Sequence, residues 1–72
     1  MIRNLIHRNG KSYLVFTVFT AHGWLVGVWP AGPRGEVTGE RIDARSAADF
    51  STAIKVHLSA CDSWRPPAAE VR

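Results

Sequence analysis

The segment SYLVFTVFTAHGWLVGVWPAGP, Ser12 to Pro33, contains no Asp, Glu, Lys or Arg, and its apolar residues fall on both alternating faces. Tyr13, Val15 and Phe19 take one parity; Leu14, Phe16 and Val18 take the other. After a break at Ala21-His22-Gly23 the pattern resumes, with Trp24, Val26 and Val28 set against Leu25 and Trp29. A strand that alternates apolar with polar residues leaves one face in water, whereas a strand apolar on both faces needs cover on both. Only one later stretch, Ser46 to Cys61, reads as a helix, and one helix cannot blanket two sheet faces. The expectation is that something outside this chain covers the second face.

The flanks of that segment set the topology. Asn9-Gly10 pairs two residues that tolerate positive φ, which predicts a two-residue type I′ hairpin between 2–8 and 11–20. Ala21-His22-Gly23 suits a second hairpin, and Pro30 is expected to stop the third strand after Trp29. Glu36 to Asp43 reads as a fourth, more polar strand, with Glu36, Thr38 and Glu40 on a solvated parity. Ser46 is expected to cap the helix, with Asp49 three residues on completing a capping box. Ala47, Phe50, Ile54, Leu58 and Cys61 form the expected buried stripe, widened by Ala53, Val56 and Ala60. The fold class is therefore α+β: an antiparallel three- to four-stranded meander followed by one C-terminal helix packed on one sheet face. Residues 1–65 make the single domain, and 66–72, opening with Pro66-Pro67, a flexible tail.

Seventy-two residues bury only roughly 60% of their unfolded surface, so stability is marginal without a disulfide, a metal or a partner. A lone Cys61 excludes an internal disulfide and suits a reducing, cytoplasmic setting. The N-terminal run is interrupted too often for a secretory core. The uncharged window has the length of a membrane span, about 20 residues, but His22-Gly23, Pro30, Pro33 and the β-branched and aromatic bias assign it to strands. No membrane partner is expected. Seven Arg and two Lys against six acids give +3, spread along the chain; this suits an acidic surface or nucleic acid and argues against mimicry of DNA.

No catalytic signature emerges. His57 and Cys61 are one helical turn apart and could join His7 and His22 on a metal, but the spacing matches no finger, so no metal or other cofactor is expected. Gly10-Lys11-Ser12 lacks the earlier glycine of a phosphate loop, with Leu5 in its place. Glu36 and Glu40 would stand roughly 13 Å apart on a strand, too far for a glycosidase pair. Trp64, just past the helix, is expected to close the end of the core.

In organisation this chain resembles the small inhibitors encoded by phages and mobile elements, including anti-CRISPR proteins, in which a short meander and a helix block a site on a larger machine. The resemblance implies a non-enzymatic protein-binding module, either docking on a larger protein or self-associating as a homodimer. Trp and Arg dominate interface centres, so Trp24, Trp29, Phe16, Arg34 and Arg41 are the expected partner-binding residues. Trp24 and Trp29 sit on opposite parities of one strand, so at most one faces the helix. The stretch from Trp24 to Ile54, strand-loop-strand-helix, also resembles the DNA-binding domains of some phage integrases and plant transcription factors. That likeness implies the alternative, a small basic nucleic-acid-binding domain. Those domains present Arg and Trp from the sheet, whereas here Arg concentrates at strand ends and in loops.

Overall fold

The computed structural model describes residues 2–67. Strands β1 (Ile2–Arg8), β2 (Lys11–Thr20), β3 (Gly23–Ala31) and β4 (Asp43–Ala47) form one antiparallel sheet in the order β1-β2-β3-β4, and helix α1 (Phe50–Ser63) follows. This is the meander-plus-helix that the sequence predicts. Asn9 and Gly10 both take positive φ, 53° and 78°, as the type I′ turn requires. In the second hairpin Thr20 pairs with Gly23, and the Thr20 hydroxyl accepts from the His22 N–H and donates to the Gly23 carbonyl. The tail expected for 66–72 lies outside the described residues from 68 onward; Pro66 and Pro67 have no regular secondary structure.

Three boundaries differ from expectation. β3 runs through Pro30 to Ala31. The Pro30 carbonyl accepts from the Thr38 N–H, so its backbone polar groups face away from β2, and the missing N–H removes no bond from that ladder. The fourth strand is Asp43–Ala47 rather than Glu36 to Asp43. The returning chain touches β3 at one bridge, Ala31 to Val37, and regular pairing resumes only at Val28 with Asp43. Between those pairs β3 moves three residues and its partner six, and that odd excess inverts which side chains face the helix.

The third difference follows from the second. Ser46 is inside β4, and Asp49 is itself the N-cap, its carboxylate accepting from the Thr52 N–H at 2.7 Å. That bond holds the Asp49 carboxyl below its ordinary range. Both residues are good caps. Pairing of Ala47 with Trp24 keeps the chain extended past Ser46 and decides between them.

Strand register divides the sheet. Ile6, Tyr13, Val15, Thr17, Val26, Val28 and Ala47 face α1 and are buried there with Ala53. The helix turns Ala53 and His57 inward, with Val56, Ala60 and Cys61 at the margin. The expected stripe is thus rotated: Leu58 is 61% exposed and Phe50 48%. A polar residue, His57, occupies the centre that an apolar count gives to its neighbours. Trp64 does close the end of the core, edge-on to Tyr13 at a centroid distance of 4.9 Å. Arg8 fastens β1 to that end, donating to the carbonyls of Cys61 at 2.7 Å and Trp64 at 2.8 Å, where helix carbonyls lack partners and a cation suits the dipole.

Candidate functional site: the helix-free sheet face

The opposite face is built in three cross-strand rows, which the register places side by side: Leu5, Leu14 and Trp29; Arg3, Phe16, Gly27 and Ala44; Val18, Leu25 and Ser46. α1 packs on the other side, so these residues cover one another or meet solvent. Leu14, between Leu5 and Trp29, is buried, whereas Phe16, Val18, Leu25 and Trp29 stay partly exposed. The demand for outside cover is therefore smaller than the sequence pattern suggests, and it concentrates on the two rings. Phe16 and Trp29 meet edge-on, centroids 5.6 Å apart.

Gly27 is what lets that pair form. A Cβ built there would sit 2.6 Å from Trp29 Cζ3 and 3.3 Å from Arg41 Cδ. The indole therefore lies across the glycine, and the aliphatic stem of Arg41 shares the gap. The rows contribute Arg3 and no carboxylate, and Arg41 adds a second cation at the margin.

The structure brings Phe16, Trp29 and Arg41 together and leaves the other two expected partner-binding residues elsewhere. Trp24 is on the helix side, between Phe19 and Phe50 with both centroid distances 5.0 Å, in a cluster that leaves Phe19 65% exposed. Arg34 stands in the loop after β3, where its N–H donates to Glu36 Oε1. Glu36 and Glu40, expected on one strand, belong to the irregular chain before β4.

The histidines and Cys61 do not converge. His7 bonds Ser12 across the first hairpin, His22 is in the second turn, and His57 is buried in α1. Among the described residues no three His, Cys, Asp or Glu side chains cluster. His57 is held at both nitrogens: Nε2 donates to Asn4 Oδ1 at 2.7 Å, which leaves Nδ1 to accept from the Thr17 hydroxyl at 2.6 Å. Burial holds its pKa below 6.5. Hydroxyl, imidazole and amide in a row resemble a nucleophilic triad, but Thr17 is fully buried and no substrate reaches it. Burial also raises the Cys61 thiol, with Arg8 opposing, which disfavours a thiolate.

Gly27, Asn4 and Thr17 are absent from the residues that sequence reasoning selects. Gly27 carries a legible signal, since a lone glycine inside an apolar strand marks a close approach. Nothing in the sequence pairs Asn4 with His57. No helix among the described residues is long and apolar enough to cross a membrane. Comparison with known proteins found no matching family model, no matching curated protein and no matching solved structure.

Proposed function

We propose that this chain is a non-enzymatic protein-docking module whose contact surface is the helix-free sheet face. One observation carries the reading: Phe16 and Trp29 form a partly exposed ring pair, flanked by Arg41, on a face that no helix covers among the described residues. Tryptophan and arginine are the side chains that most often dominate the energy of an interface. The Trp29 indole lies against Gly27 and meets Phe16 edge-on, so docking costs the pair little conformational entropy. The finer reading is an inhibitor of the kind phages and mobile elements encode, which occupies a surface of a larger protein and needs neither cofactor nor pocket.

Sedimentation and light scattering of the purified chain test self-association, and co-purification from a host that carries the target tests docking. Trp29→Ala should weaken either association by about 30-fold or more, the range expected of a central Trp, with the far-ultraviolet spectrum unchanged. Unchanged association in a folded variant would reject this surface.

A second reading, nucleic-acid binding, is favoured by Arg3 and Arg41 beside the two rings on rows that carry no carboxylate. Affinity for a random oligonucleotide that falls steeply with salt and is lost in Arg3→Ala would support it over protein docking.

A further inference from the structure

On the other side of the sheet, α1 leaves β4 partly uncovered, and the gap between them is a groove of about 500 Å3. Val26 and Val28 form an apolar floor; Arg45 from β4, Lys55 from α1 and Arg65 from beyond the helix end bring three cations to it. Asp43 is the one acid lining it among the described residues, and it is engaged: Oδ2 accepts from Trp64 Nε1 at 3.1 Å and Oδ1 from the Ala44 N–H at 2.8 Å.

Among the described residues the groove also borders an unpaired strand edge, that of β4. The Val28 and Pro30 carbonyls accept from Ile42 and Thr38, so this parity of β3 aims its backbone groups at the returning chain. Asp43, Arg45 and Ala47 accordingly bond β3, and the backbone groups of Ala44 and Ser46 point outward. Asp43 already occupies the Ala44 N–H, leaving the Ala44 carbonyl and both Ser46 groups for another strand.

We propose that this groove binds an acidic segment of extended polypeptide from a partner protein. The segment adds to β4, sets apolar side chains against Val56 and Ala60 on the helix margin, and sets carboxylates against Arg45, Lys55 and Arg65. Charge complementarity names the occupant, because three cations face one committed carboxylate. Nucleic acid fits less well: its phosphates would meet the cations, but it has nothing to pair with a strand edge or to fill an aliphatic floor. So few free edge groups make the binding lean on charge, and it should weaken as salt rises.

The test is amide-resolved magnetic resonance of the full chain titrated with a short blocked peptide alternating Glu and Val. Shifts should concentrate on Ala44, Arg45, Ser46 and the Trp64 indole N–H. The double variant Arg45→Glu/Lys55→Glu should bind about tenfold or more weakly. Both residues are exposed, so the variant should keep its fold, which circular dichroism checks. Three results would overturn the proposal: shifts confined to Phe16 and Trp29, binding indifferent to the charge reversal, or a single-stranded oligonucleotide or a second copy of the chain displacing the peptide. The outcome is separate from that for the helix-free face, because Trp29→Ala leaves this groove intact.

Discussion

The two faces of this sheet are made from nearly the same composition and end differently. Under α1 the centre is made of small or branched side chains, Val15, Thr17, Val26, Val28 and Ala53, around one buried histidine, with Tyr13 and Trp64 at the end. On the far side Leu14 disappears beneath its neighbours, while the Phe16 and Trp29 rings lie on the surface over a glycine. One face is closed by another element except at the groove beside β4; the other is covered by its own side chains and the stem of Arg41. Apolar content alone does not say which face will be core. What distinguishes them is a second layer at packing distance.

The sharpest way to break this contrast is to place a charge on each side. Val15→Asp buries a carboxylate with no partner at a fully enclosed site and should unfold a domain of this size, seen as loss of the cooperative thermal transition. Phe16→Asp, at the facing position of the next parity, should leave a folded protein with a lower melting temperature. If both variants unfold alike, the helix-free face is core as well, and the docking surface does not exist.

An intermediate effect is expected at His57. Its native pKa lies below the unfolded value of 6.5, so the unfolded chain binds the proton more readily. The stability that depends on the neutral ring is fully present above pH 6.5 and is lost as pH falls through that value toward the native one. Thr17→Val leaves Nδ1 buried without a donor and should cost about 1–3 kcal/mol at neutral pH. Denaturant melts across this pH range read both effects, and His57→Gln should flatten the acid limb. A flat profile in the unaltered chain would mean that the ring is less enclosed than its 1% exposure indicates.

The smallest effect belongs to Gly27→Ala. The new methyl group conflicts with the far end of the Trp29 indole rather than with backbone, so the ring can lift toward solvent. The expected cost is about 1 kcal/mol or less, with a red-shifted tryptophan emission and altered association. A cost several times larger would show that the indole is locked in place and that this face is built as core.

Particular residues mark where sequence reading succeeds and where it stops. Asn9-Gly10 specifies its hairpin because both positions need positive φ, a purely local condition. Opposite placement of Trp24 and Trp29 follows from strand parity, and Trp64 at the core end follows from its position just past the helix. The fourth strand was not legible, because the extra residues between Val37 and Asp43 shift the register by an odd number. The helix stripe was misplaced for a related reason: periodicity identifies an apolar arc but not the rotation at which it docks, so Leu58 faces water and His57 the core.

Local rules, turn chemistry and alternation therefore determined the element order, the first two hairpins and the partition of β1, β2 and β3 side chains between two sheet faces. Only tertiary packing decided which face received the helix, where β4 resumed its pairing, and which cations met across the groove. Those outcomes depend on contacts between segments far apart in the chain, and their free energies are settled only when both partners are in place.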